Sequence, residues 1–356
     1  MKLLLITEEF PPIIGGVGEY LKNLYSKELG HDVLIVAPPK YSFHAAWCWP
    51  HWLPLYFKMR TLARLHQPDE IHISHVLPIG HIALWLQKEF KIPYTILFHG
   101  TDLLSAAAQP KKMKRVLKIV SAAEHAIANS HATREIFIKL FPNLAHKIEV
   151  ISPGVALQSN VGAQDFLKQH GLDTTRYILF IARLIPRKGL LVAIQALKIL
   201  LTQNISIHLV IVGEGPTASI AHAYAKELEI SEHVTFLGKV SVEERSALYA
   251  GAFLFWFPAQ HVRGEFEGFG ITSLEAQQAG CPAIVSSCGG LPESVAAGNS
   301  GFVVDPTAEA FAEITQKILC NAELWQRLRN GARQFANQNS WKLRQQKMRD
   351  LIEKKI

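Results

Sequence analysis

No run of apolar residues approaches the ~20 that a membrane-crossing helix needs. The longest near-candidate, residues 249–259, is far too short. The apolar residues 3–6 are too few for a secretory leader, and no small-residue cleavage site follows them. Cysteine is scarce: positions 48, 281, 288 and 320 form no C-x-x-C pair and no zinc-ligand spacing, which reads as reduced thiols in a cytosolic chain. With 23 glycines and 18 prolines in 356 residues, 49% of them apolar, the chain is not collagen-like, low-complexity or disordered. It has no Asp-x-Asp sequence, no Walker A loop, and no RNA-recognition, zinc-finger or helix-turn-helix pattern. Neither a P-loop ATPase nor a nucleic-acid partner is supported.

What is present is about two domains' worth of chain, since single cores stop growing near roughly 250–300 residues. Basic residues outnumber acidic ones, 37 to 30. The excess sits mainly in residues 1–150, which carry 17 Lys/Arg against 12 Asp/Glu and also 11 of the 16 histidines. Lys111, Lys112, Lys114, Arg115 and Lys118 place five cations in eight positions with no acid between them. A solvated helix face explains such a run as well as an anionic membrane or a phosphate-bearing partner does.

Short β-branched or Leu-rich runs alternate with helical periodicity from end to end, the pattern of parallel sheets with crossover helices. Strands are expected at 2–6, 33–37, 70–74, 94–98, 126–129 and 148–151, and again at 177–182, 207–212, 234–237, 253–257, 282–286 and 301–304. In the first helix Leu21, Leu24, Tyr25 and Leu29 form one stripe that Gly30 ends. Further helices fall at 189–202 and at 241–250, the latter opened by the capping box Ser241-x-x-Glu244. Six strands with interleaved helices, twice over, predict an α/β chain of two Rossmann-like domains, 1–153 and 154–340. The helix of about 341–356 is expected to pack back on the first, and a hinge is expected within 152–175. Ligands of open α/β sheets bind at the carboxyl ends of the strands.

Two strand ends there carry suitable chemistry. The strand at 177–182 runs through Arg183-Leu184-Ile185-Pro186-Arg187-Lys188-Gly189 into a helix, placing Arg183 and Lys188 beside a helix amino end, where an anion is favoured. Glu265-Phe266-Glu267-Gly268-Phe269-Gly270-Ile271-Thr272-Ser273-Leu274-Glu275 offers close backbone approach, amides for phosphate, and two carboxylates, Glu267 and Glu275, for hydroxyls. Each cation or acid taken singly is compatible with an ordinary surface residue. The glycines of Gly289-Gly290-Leu291-Pro292-Glu293 read as turn-forming.

Glu267 and Glu275 stand in the E-x7-E relation of retaining glycosyltransferases. The chain resembles glycosyltransferase family 4 over nearly its whole length: Phe10-Pro11-Pro12 with Gly15-Gly16-Val17-Gly18, His99-Gly100-Thr101-Asp102, Asn129-Ser130, Ser152-Pro153-Gly154-Val155, Arg183 with Lys188-Gly189, Val212-Gly213-Glu214-Gly215-Pro216, Leu237-Gly238, the two glutamates, and Gly289-Gly290-Leu291-Pro292-Glu293. Residues 259–265 depart from the pattern, being longer and more charged; His261 and Arg263 lie there. The resemblance implies a GT-B fold, two facing Rossmann-like domains with an interdomain cleft. It implies that Arg183 and Lys188 hold the diphosphate of a nucleotide-sugar, that Glu275 binds ribose and Glu267 the donor sugar, and that Phe269, Gly270, Ile271 and Gly16 complete the contacts. Gly213, Glu214 and Gly215 with Leu237 and Gly238 would line the base pocket. His99 matches the family's active-site histidine, with Asp102 in the same loop.

With no Asp-x-Asp, no metal and no other cofactor are expected, so cations and helix amino ends would meet the leaving-group charge. The first domain would receive the acceptor. Trp47, Trp49, Trp52, Tyr56 and Phe57 crowd five rings into eleven residues, which suits a core under a loop, a sugar platform or a membrane interface. With Lys111, Lys112 and Arg115 they suggest a glycan or lipid-linked acceptor and a cytoplasmic enzyme peripheral on an anionic membrane. His72 and His75 read as structural or acceptor-site residues. A nicotinamide dehydrogenase is disfavoured: Leu21 stands where the third fingerprint glycine belongs, and the second strand ends in Ala37-Pro38-Pro39 without an acid. A sugar-nucleotide epimerase on the same fold and a non-catalytic nucleotide-sugar-binding relative are the alternatives.

Overall fold

The computed structural model describes residues 1–13, 15–156 and 163–353. Part of the expected hinge, 157–162, lies outside them. The chain forms two compact units, Met1–Pro153 with Trp341–Ile356, and Gly154–Ser340.

The first unit is built on β1 (Lys2–Ile6), β2 (Asp32–Val36), β3 (Glu70–Ser74), β4 (Tyr94–Phe98), β5 (His125–Ala128) and β6 (Ile148–Val150), in the order β2-β1-β3-β4-β5-β6, every pairing parallel. β3 and β4 are buried along their whole length, as strands covered by helices on both faces must be. The second unit holds β7 (Tyr177–Ile181), β8 (His208–Val212), β9 (Val234–Gly238), β10 (Leu254–Phe257), β11 (Ala283–Ser286) and β12 (Gly301–Val304), in the order β12-β11-β10-β7-β8-β9, again all parallel.

The strand orders locate the binding chemistry. In a doubly wound sheet a crevice opens where successive connections leave to opposite sides, at the carboxyl edge. In the second unit that point lies between β7 and β10, and in the first between β1 and β3.

The first helix is shorter than its apolar stripe suggests. It spans Gly16–Leu24, and Leu29 belongs to a separate 3-10 turn, Lys27–Leu29, which Gly30 closes at φ 78°. The helix Trp341–Glu353 belongs to the first unit: Gln345 Nε2 donates to Asn23 O at 2.8 Å and Ser26 Oγ at 2.7 Å, and Arg349 Nη1 donates to Glu28 O at 2.7 Å. The Ser241 capping box forms in full at the head of the helix Val242–Gly251.

Candidate functional site

Both loops at the β7/β10 switch point carry charge. After β7 the chain makes a 3-10 turn, Pro186–Lys188, then enters the helix Leu190–Thr202 through Gly189 at φ 74°. A Cβ on Gly189 would stand 1.7 Å from the carbonyl oxygen of Pro258, at the end of β10, so only glycine fits where the two loops meet. Gln260 N–H donates to Arg187 O at 2.7 Å and stitches the same contact.

This packing brings Lys188 and Glu267 together. Lys188 Nζ donates to Glu267 Oε2 at 2.6 Å and lies over the Phe257 ring, 4.7 Å from its centroid. Arg187 also donates to Glu267 Oε2 through Nη1, and to Glu265 Oε2 through Nε at 3.1 Å. Burial alone would raise the pKa of Glu267, but Lys188 and Arg187 more than offset this and hold it below the ordinary carboxylate value. For Lys188 burial prevails: with Arg187 and Arg183 as like charges it lowers the ammonium pKa despite Glu267. The backbone of Glu267 is pinned from the other side, because a Cβ on Gly289, at φ 58°, would stand 2.3 Å from Glu267 O.

Arg183 differs from its expected partner. It is exposed, and among the described residues its side chain forms no hydrogen bond or ion pair; Lys188 feels only its charge. Arg187 and Glu265, passed over in the sequence, complete the cluster, and their signal was the unusually charged stretch before Glu267. His261 and Arg263 in that stretch are exposed.

Glu275 has a separate set of partners. It lies on the helix Ile271–Gln278, which opens at Gly270 with φ 88°. Tyr249 donates its hydroxyl to Glu275 Oε2 at 2.9 Å, and Arg245 Nη2 is 3.6 Å from Oε1. Tyr249 and Arg245 sit four apart on one helix and so share a face. The four residues expected to act as one grip thus divide into a Lys188–Glu267 pair, a Glu275–Tyr249–Arg245 group and a solvent-facing Arg183. Near them Phe269 and Gly270 are buried and Ile271 half-buried. Gly213 N–H donates to Gly238 O at 2.8 Å, while Glu214, exposed, accepts at its carbonyl from Leu184 N–H. Leu237 is half-buried.

In the first unit His99 ends the run from β4, buried, its Nε2 2.9 Å from Ser74 Oγ. Burial, helped by the neighbouring His75, holds the imidazole pKa well below its usual value, so the ring is neutral. His99 N–H donates to Asp102 Oδ1 at 3.2 Å, and burial raises the pKa of Asp102. Gly16 opens the helix beside the β1 loop and is exposed.

The basic run forms the helix Pro110–Ala122, with Val116, Ile119 and Val120 buried. Lys111, Lys114, Arg115 and Lys118 are exposed, and Lys112 is half-buried. The aromatic stretch splits: Tyr56 is buried, whereas Trp47 and Trp49 are 82% and 83% exposed. Tyr56 and Trp85 meet at 5.0 Å between ring centroids, as do Trp52 and Trp85, so the helices Leu53–His66 and Ile79–Phe90 share an aromatic face. No helix among the described residues is long and apolar enough to cross a membrane, and no group of three or more His, Cys, Asp or Glu among them is placed to hold a metal ion.

Residues 163–335 match the family model described as glycosyl transferases group 1, and residues 14–159 that of glycosyltransferase family 4. The chain is 26% identical, over 98% of each chain, to a GDP-mannose-dependent alpha-(1-6)-phosphatidylinositol monomannoside mannosyltransferase of Mycolicibacterium smegmatis. Among solved structures it is similar to Anabaena HepE in complex with UDP-glucose, with a TM-score of 0.80 and 20% identity over 99% of this chain and 100% of that one. It is equally similar in fold to a sucrose-phosphate synthase from Thermosynechococcus elongatus, TM-score 0.80 at 21% identity over 99% and 98%. Two Rossmann-like units with parallel sheets of this kind make the GT-B fold, and with the two family models together spanning both units, the chain belongs to family 4 of the glycosyltransferases.

Proposed function

We propose that the chain transfers a hexosyl group of mannosyl or glucosyl type from a nucleoside-diphosphate sugar to a glycan or lipid-linked acceptor, with retention of anomeric configuration and without a metal. The observation that carries this reading is the buried Lys188–Glu267 pair at the β7/β10 switch point, flanked by Arg187 and the exposed Arg183. Cations at a helix amino end suit a diphosphate, and the carboxylate suits sugar hydroxyls. Glu275, oriented by Tyr249 and Arg245, takes the ribose. The absence of Asp-x-Asp supports charge neutralisation by side chains and helix ends rather than by a bridging ion.

In the proposed step the bond between the anomeric carbon and the diphosphate oxygen breaks. The acceptor oxygen forms its bond to that carbon from the same face, and its proton passes to the departing diphosphate. Arg183 and Lys188 take up the charge released, and His99 hydrogen-bonds a sugar hydroxyl. The mycobacterial relative, whose name specifies GDP-mannose and a phosphatidylinositol mannoside, supports a mannosyl donor and a lipid acceptor. The exposed cations of 111–118 and the exposed Trp47 and Trp49 support a cytoplasmic enzyme peripheral on an anionic membrane.

The test is incubation with GDP-, UDP- and ADP-hexoses in EDTA, with and without a phosphatidylinositol mannoside, read by proton NMR of the anomeric signal. Transfer with an unchanged anomeric configuration is expected. Inverted product, or turnover only after metal is restored, would overturn the mechanism; epimerised donor without acceptor would favour the epimerase.

A further inference from the structure

Four side chains at the carboxyl ends of β1, β3 and β4 run in sequence from Glu9 to His99. Ser74 ends β3, and His75 follows with φ 72°, a left-handed backbone uncommon for a residue with a side chain. Its N–H donates to Leu97 O at 3.2 Å, which fixes the turn. Ser74 Oγ lies 2.9 Å from His99 Nε2 and 3.4 Å from His75 Nδ1. His75 Nε2 is 3.7 Å from Glu9 Oε1, and the two imidazole centroids are 5.1 Å apart. Among the described residues nothing hydrogen-bonds His99 Nδ1.

A serine hydroxyl carries one proton, so between two imidazoles it donates to one and accepts from the other. An ionised Glu9 only accepts. A singly protonated His75 with its proton on Nε2, the side that faces the Glu9 charge 3.7 Å away, offers Nδ1 to the Ser74 hydroxyl. The Ser74 oxygen then accepts from His99 Nε2–H, and His99 Nδ1 is left as a bare lone pair. A second proton on His75 makes Nδ1 a donor, reverses the Ser74 hydroxyl, and moves the His99 proton to Nδ1.

We propose that Glu9, His75 and Ser74 are positioning residues that set the tautomer of His99, presenting Nδ1 as acceptor for a sugar hydroxyl, and that protonation of His75 turns it into a donor. The charged and titratable groups facing His75 are Glu8 and Glu9 from the loop after β1, and His99 and Asp102 from the loop after β4. His44, after β2, reaches Glu8 at 3.6 Å. The sugar contact rests on the role given to His99 above; the tautomer does not.

The test is nitrogen-15 NMR of the full chain with labelled histidine, without substrate. At alkaline pH the expected His99 signals are those of the Nε2–H tautomer, converting to Nδ1–H as the pH is lowered. In His75→Gly, which suits the left-handed backbone, His99 is expected as Nδ1–H throughout. Ser74→Ala should uncouple the two rings and Ser74→Thr should restore the coupling. An Nδ1–H tautomer in the wild type at alkaline pH, or the same tautomer with and without His75, would overturn the relay. In the transfer assay the donor sugar's hydroxyl donates to a bare Nδ1 and accepts from Nδ1–H, so donor KM should change with pH in the wild type and not in His75→Gly, with kcat nearly unchanged. Wild-type transfer by His99→Ala would overturn the sugar contact alone, which keeps that failure distinct from failure of the relay.

Discussion

Lys188 Nζ and Glu267 Oε2 meet at 2.6 Å although 79 residues of chain separate them. The pair exists because β10 lies directly beside β7 in the sheet, so the loops leaving both strands start from adjacent points. Among the described residues Glu267 has two cationic partners and Lys188 one acidic partner, so removing Glu267 strands Lys188, whereas removing Lys188 still leaves Arg187 on the carboxylate.

Lys188→Met should abolish measurable transfer and lower stability by about 1–2 kcal/mol, one charged hydrogen bond being lost while Arg187 stays on Glu267. Arg187→Met, which leaves Lys188 on Glu267, should cost less on both counts. Transfer rates and urea unfolding of the two variants check the order; equal losses would count against it.

The same pair predicts an acid limb in stability. The folded pKa of Glu267 is depressed below 4.5, so its stabilising contribution is complete above about the unfolded value and is lost as pH falls through the folded one. Melting temperatures measured downward from pH 6 should fall more steeply for wild type than for Glu267→Gln. Parallel curves would show that Glu267 is not the group responsible.

Gly189 and Gly264 both have positive φ, at 74° and 81°, yet only Gly189 has backbone within reach of an added Cβ. Gly264→Ala should cost about 1–2 kcal/mol, the left-handed backbone alone. Gly189→Ala should cost well beyond that and reduce transfer, because the β7 and β10 loops must separate. Equilibrium unfolding of both variants measures the difference.

Tyr249→Phe removes the hydroxyl that Glu275 accepts at 2.9 Å while keeping the ring. If Glu275 holds ribose, donor KM should rise about five- to tenfold with kcat nearly constant, the signature of one lost positioning hydrogen bond. A kcat loss at constant KM would place Tyr249 in the chemistry instead.

Membrane contact is tested by sedimentation with vesicles containing anionic lipid. Charge reversal at Lys111, Lys114 and Arg115 should weaken binding about fivefold or more per cation at low salt. Trp47→Ser with Trp49→Ser should weaken it at all salt concentrations, because ring insertion is not screened. Vesicle binding unaffected by both sets would remove this surface from the function.

The alternation of elements was legible because parallel strands carry continuous apolar runs; β3 at Glu70–Ser74 and β4 at Tyr94–Phe98 fall where their residues indicate. The Ser241–Glu244 capping box was legible because its contacts are local. The helix beginning at Gly16 was read too long, since a 3-10 turn continues its apolar stripe without its hydrogen bonds. Arg187 was missed for a different reason. Nothing within the loop after β7 distinguishes it from Arg183; the distinction comes from Glu265 and Glu267, which strand order brings alongside. Likewise Ser74 and His75 look ordinary in sequence until β1 and β4 flank them.

The helix Trp341–Glu353 completes the first unit from the far end of the chain, its Gln345 bound to Asn23 and Ser26. During synthesis the leading half must therefore wait, missing one side of its wall, while everything through residue 340 is made. The second unit, contiguous in sequence, has no such delay. Proteolysis of nascent chains should therefore find the early segment first.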